Sequence, residues 1–205
     1  MTVVNQVIDR AMRGLVAVRM RSQIDYTATN SAVILVAPQR DLIGDAPALA
    51  GLVNMARAAG ISVIYAPMGQ PTDGWTNPTP SQQAINDAGL LRAGSPGADI
   101  HPTVAPAEDD IVMPPFTGLS AFTLPTLGLT LAGMHLDHAI IAGARTDIEI
   151  DSTARDATEA GLHTTVVSDC CTGSSPEGHH ATVHTTLPRL VHAVLTFADL
   201  TQRIR

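Results

Sequence analysis

The chain contains no lysine; all twelve of its basic residues are arginine. No side-chain ammonium is therefore available for chemistry. Cysteine is nearly absent as well. Cys170 and Cys171 are the only two, and they are neighbours. Adjacent cysteines do not close an ordinary disulfide without strain, and they provide neither a disulfide framework nor a zinc pattern. Aromatic residues make up 3% of the chain, so Val, Ile, Leu and Ala must fill the core. No basic run exceeds two residues, and the net charge is −7, which argues against a nucleic-acid partner. No apolar stretch approaches the ~20 residues that span a bilayer. The first residues lack the apolar core of a signal peptide, so a cytoplasmic protein with no membrane partner is expected. Internal repeats, a phosphate-loop glycine pattern and a Gly-x-Ser-x-Gly elbow are all missing.

What is present suits one α/β domain of sizeable core, in 205 residues of which 45% are apolar. Apolar runs at 31–37, 62–67, 110–113, 138–142 and 163–167 alternate with helical segments. This predicts a single doubly wound, mostly parallel sheet with helices on both faces, built from residues 30–205. Residues 1–29 precede it as a helical arm. In it Val4, Val7, Ile8, Met12, Leu15 and Val16 fall at helical spacing, giving a helix over 3–19. That helix either packs on the sheet edge or docks on a second subunit. Residues 45–59 read as a crossover helix stopped by Gly60. Residues 68–88, rich in Gly, Pro, Thr, Asn and Gln, read as a loop over the site. Trp75 in that loop is either a surface-packing residue or a ligand platform. A short apolar helix is expected at 124–133, and a last helix from Ser175 to about Leu200, with Pro176 in its first turn. His180 and His184 stand four apart on it, but no acidic third ligand has matching spacing, so no metal is expected.

The stretch 139–157 organises the rest. An apolar run ends at Gly143, a polar turn follows with Arg145, Thr146 and Asp147, and a helical pattern then begins at Ile148. A buried strand turning into a helix places those turn residues at the carboxyl edge of the sheet, where open α/β sheets bind ligands.

This stretch resembles the strand–turn–helix of the isochorismatase-like cysteine hydrolases, whose pattern runs approximately G-x-x-T-N-x-C-V-x-S-T-A-R-D-A. Gly143, Thr146 and the run Ser152, Thr153, Ala154, Arg155, Asp156, Ala157 match it. Asp147 stands where Asn is usual, and Glu149 where the nucleophilic Cys is usual. The family's first strand ends in I-D-M-Q-N-D-F; here Gln39 and Asp41 match and Ala37 occupies the Asp position. Ser120, Ala121 and Phe122 resemble the family's Ser-Ala-Phe turn, which puts its Lys position at Pro114 or Pro115. The resemblance covers about residues 30–200. It implies a mostly parallel sheet, a homodimer or tetramer, and a small-molecule ligand without a cofactor.

The usual chemistry of such proteins needs a Cys thiolate to attack a carbonyl or nitrile carbon, an Asp to take its proton and a Lys to stabilise charge. With Glu149, Ala37 and Pro114 or Pro115 at those positions, the resemblance implies that thiol-based amide hydrolysis is absent. Three readings follow. The chain is an enzyme that uses acid–base or carboxylate chemistry at Glu149, as some members acting on isochorismate-type vinyl ethers rely on an acidic residue. It is a catalytically inactive member that binds a small molecule. Or it supports an active homologue. Arg145, Asp147, Gln39, Phe122 and Trp75 are the candidate substrate contacts. Arg145 suits a bidentate hold on a carboxylate, or pairs with Asp147 at the surface. Asp151, Arg155 and Asp156 read as structural residues of the helix.

Overall fold

The computed structural model describes residues 24–44, 47–71 and 73–205. The helix expected over 3–19 lies outside the described residues. Six strands build one sheet: β1 (Ser31–Val36), β2 (Ser62–Ala66), β3 (Ile111–Val112), β4 (His138–Ala144), β5 (His163–Thr172) and β6 (Ala193–Leu195). Their order is β3-β2-β1-β4-β5-β6, and every pairing is parallel. The helices are α1 (Pro47–Ala58), α2 (Pro80–Ala88), α3 (Pro125–Gly133), α4 (Asp151–Glu159), α5 (Pro176–Ala181) and α6 (Phe197–Thr201).

Strand β1 is buried along its whole length, as its unbroken apolar sequence requires of a strand covered on both faces. Alternate side chains serve two cores. Ile34 and Val36 join Ile64, Ile141 and Val166 beneath Leu127 and Leu131 of α3 and Ala154 and Ala157 of α4. Val33 and Leu35 join Val63, Tyr65 and Ile140 beneath Leu49, Leu52 and Val53 of α1 and Leu200 of α6. Fully burying each of these larger aliphatic side chains stabilises the fold by about 1.5–3 kcal/mol. The sheet thus has helices on both faces, as expected.

The connection from β1 leads to β2 on one side, and that from β4 leads to β5 on the other. The carboxyl ends of β1 and β4 are therefore the switch point, the place where sheets of this class bind ligands. Val36 pairs with Gly143 there. Gly143 has φ +127°, and a Cβ added to it would run into the Val36 carbonyl oxygen, so the two strands approach more closely than any side chain allows.

Three elements differ from the sequence reading. The expected loop over 68–88 contains helix α2. Thr79 caps it: its Oγ1 accepts from the Gln82 amide at 3.3 Å, while its own amide donates to Gln82 Oε1 at 2.9 Å. This reciprocal box was masked by the surrounding Pro, Gly and Asn. The expected last helix is broken. It starts at Pro176 with Ser175 Oγ accepting from the Gly178 amide at 3.0 Å, widens over Thr182–Thr186, tightens over Leu187–Arg189, and gives way to β6. Pro188 has no amide hydrogen to continue the helix, and Ala193–Leu195 find a sheet edge beside β5. Strand β5 also runs on to Thr172 past an irregularity opposite Ile141 and Gly143, so both cysteines lie inside it.

Candidate functional site

The turn after β4 carries the candidate site. The Ala144–Arg145 peptide bond is cis, and residues Thr146–Ile150 form a wide helical turn that leads into α4. Within that turn Glu149 is completely buried. Its carboxylate is taken by Arg145 in a bidentate pair. Arg145 Nε donates to Oε2 at 2.9 Å, the Arg145 amide donates to the same oxygen at 3.2 Å, and Nη2 donates to Oε1. The Arg145 side chain keeps 13% exposure and Glu149 none. Arg145 Nη2 also donates to Ser81 Oγ of α2 at 2.8 Å. A planar guanidinium on a buried carboxylate is a strong charge-assisted arrangement. The alternative pairing of Arg145 with Asp147 does not form.

Asp147 turns the other way. It accepts from the Ser174 amide at 2.7 Å and from the Ser174 hydroxyl. Burial alone would raise its pKa, but the hydrogen bonds from Ser174, with one from its own backbone amide and the charge of Arg145, together hold the carboxyl below its ordinary value. Gly178 makes this possible, since a Cβ there would stand 2.6 Å from Asp147 Oδ2. Beside it, Thr146 Oγ1 and His179 Nδ1 are hydrogen-bonded at 2.8 Å. The pKa of His179 is lowered, first by burial and then by His184 and His180, against the opposing pull of Asp147.

The other positions make contacts of their own. Ala37 follows β1, buried, with φ +48°, and its amide donates to the Ala66 carbonyl at 2.8 Å. Its methyl group supplies no charge. Pro114 and Pro115 follow β3 and are exposed. Gln39 is buried, and its side-chain amide is engaged at both ends by the backbone of Met68: Oε1 accepts from the Met68 amide at 3.1 Å and Nε2 donates to the Met68 carbonyl. It ties the loop after β1 to the loop after β2. Phe122 is partly buried against the α3/α4 core. Its turn is docked on α4 by Thr153 Oγ1, which accepts from the Ala121 amide at 3.0 Å. Trp75 also packs on this core, and its indole N–H donates to the Thr117 carbonyl at 2.7 Å, beside Gln82 Nε2 at 3.1 Å. Asp151 and Arg155 pair along α4 at 2.8 Å.

Glu149 and Arg145 are thus brought together, with Ser81 as a third member that sequence reasoning missed. Its only signal was the Thr79–Gln82 capping pattern around it. Ser174 and His179 were missed as well. The imidazoles of His180 and His184 stand 4.4 Å apart, centre to centre. Among the described residues no group of three or more His, Cys, Asp or Glu is placed to hold a metal ion, and no helix is long and apolar enough to cross a membrane.

Both thiols sit in β5. Burial pushes the Cys171 thiol up to about 12 and raises that of Cys170 as well, with Asp169 adding to it. Neither is a thiolate near neutrality, as nucleophilic chemistry requires.

Residues 31–199 match the family described as Isochorismatase domain. An uncharacterized isochorismatase family protein, YecD of Escherichia coli O157:H7, is 30% identical over 90 residues, which are 44% of this chain and 48% of that protein. The match therefore spans about half the length of that curated relative. Among solved structures, an isochorismatase family protein from Desulfovibrio vulgaris superposes with a TM-score of 0.74 at 24% identity, covering 85% of this chain and 97% of that one. A cysteine hydrolase from Pseudomonas syringae pv. phaseolicola gives 0.75 at 19% identity, covering 87% and 94%. At these identities the likeness to the solved structures concerns the fold.

Proposed function

The chain belongs to the isochorismatase family, and from that premise we propose that it acts on a small organic acid without a thiol nucleophile, Arg145 holding the acid's carboxylate and Glu149 serving as the acid–base group. The observation that carries this reading is the Arg145–Glu149 pair at the switch point of the sheet, with its cation partly open and its carboxylate closed off. The positions at which the family pattern places Asp and Lys hold Ala37 and Pro114 or Pro115, so no other charge at those positions takes up the role. The raised thiols of Cys170 and Cys171 support the exclusion of cysteine chemistry.

The chemistry follows from competition for one guanidinium. A ligand carboxylate that shares Arg145 weakens the hold on Glu149. A buried carboxyl group with less cationic support favours its protonated form. In this reading Glu149 gives that proton to the bound acid, for example at the carbon of a vinyl ether; water adds to the oxocarbenium ion so formed, and Glu149 takes back the proton that the water adduct loses before the hemiketal collapses to carbonyl and alcohol.

The experiment is turnover of a panel of small aromatic, cyclohexadienyl and vinyl-ether acids by the parent and by Glu149→Gln, which keeps the shape and removes the titrating proton. Turnover in the variant is expected to fall at least about 100-fold. A variant within about threefold of the parent would end the catalytic role of Glu149.

A second reading is favoured by one specific observation: both oxygens of Glu149 are already engaged and the residue is completely buried. In that reading the pair is structural and the chain is a catalytically inactive family member that binds a small molecule or supports an active homologue. Binding of acids with no turnover across the panel would select it.

A further inference from the structure

A guanidinium has a side edge and an end edge, each able to hold a carboxylate through parallel N–H donors. In Arg145 the side edge, Nε with Nη2, is closed by Glu149. On the end edge, Nη2 also reaches Ser81 Oγ, and Nη1 has no partner among the described residues. Ser81 accepts from Arg145, and a hydroxyl that accepts still has its own hydrogen to donate. The Nη1–H of Arg145, unpaired among the described residues, and the O–H of Ser81 therefore both border the end edge of the guanidinium, which Glu149 leaves unfilled.

Ser81 is held firmly where it stands. It follows Pro80 in the first turn of α2, inside the capping box of Thr79 and Gln82. Gln82 is anchored in turn on the Thr117 carbonyl, which Trp75 also holds. On the opposite side, Arg145 is fixed by Glu149. Both donors are thus positioned before any ligand arrives, which lowers the entropy cost of binding.

We propose that Ser81 is a specificity-determining residue: its hydroxyl and Arg145 Nη1 together receive one carboxylate group of the ligand and reject the neutral amide of the same shape. The inference rests on the reading that Arg145 anchors the ligand's carboxylate. A carboxylate accepts from both donors. An amide turns its NH2 group towards one of them and leaves that donor unpaired, a mismatch that hydrogen-bonding sites reject strongly. Glu149 acts here as the positioning residue that fixes the guanidinium.

The test is calorimetric titration of the full chain with benzoate and with benzamide, for the parent, Ser81→Ala and Ser81→Thr. The parent is expected to bind benzoate at least about tenfold more tightly than benzamide. Ser81→Ala should weaken benzoate about tenfold and leave benzamide within about twofold, and Ser81→Thr, which restores a hydroxyl, should recover benzoate to within about threefold. The proposal is overturned if the parent binds no benzoate up to about 10 mM, if Ser81→Ala leaves benzoate unchanged, or if the variant weakens both ligands alike. The outcome is separable from that of the catalytic reading. Discrimination by Ser81 with no acid turned over keeps the subsite and removes the chemistry. Loss of turnover in Glu149→Gln with no effect of Ser81→Ala does the reverse.

Discussion

His179 shows how one residue couples the site turn to pH. Its imidazole meets Thr146 at 2.8 Å, and the charged or titratable groups acting on it are Asp147, His180 and His184. Its folded pKa lies below the ordinary 6.5, with burial the largest cause. The unfolded chain therefore takes up this proton first as pH falls. The stability from neutral His179 is present above about pH 6.5 and is lost as pH drops through the folded value. We expect His179→Gln to flatten the fall in Tm between about pH 7 and about pH 5; an unchanged slope would show that His179 does not set it. The Glu149 position was singled out by its place in the sequence motif. Its partner was not. Arg145 has acidic residues two and four positions away, and only the wide turn over Thr146–Ile150 swings Glu149 under the guanidinium and Asp147 out towards Ser174.

At the scale of elements, β1 and β4 approach most closely just before the turn that carries the candidate site. Gly143 is the condition for it, with φ +127° and the Val36 carbonyl where a side chain would begin. Gly143→Ala should cost at least about 2 kcal/mol in urea denaturation, from backbone strain together with the forced separation of the strands. A loss under about 0.5 kcal/mol would contradict that account of the strand contact. The five strands read from apolar runs were all found because a fully covered strand needs little beyond apolar side chains. The elements missed are ones whose local pattern conflicts with their surroundings. Helix α2 stands in a stretch of turn formers and is recognisable only by its cap. Strand β6 continues an apolar helical spacing, and only Pro188 and a vacant edge beside β5 turn it into a strand.

For the whole molecule, the sheet separates two apolar layers, and Cys171 touches both. The only two thiols in the chain thus sit in β5, where burial disfavours the thiolate. Iodoacetamide at about pH 7.5 should leave both unmodified in the folded protein and react with both in urea. Rapid labelling of the folded chain would show that one of them is accessible and would reopen thiol chemistry.

Composition and periodicity were enough to determine the layered α/β architecture, because burial on both faces of a parallel sheet writes itself into sequence as uninterrupted apolar strands. The absence of lysine and the adjacency of the two cysteines were likewise facts of sequence alone. Tertiary structure decided which polar groups meet. Ser81 and Arg145 are 64 residues apart, and Asp147 and Ser174 are 27 apart. No local spacing encodes such contacts. They arise because the turns of separate βα units converge on one edge of the sheet, and the geometry of that edge is set by Gly143, by the cap of α2 and by the turn after β4.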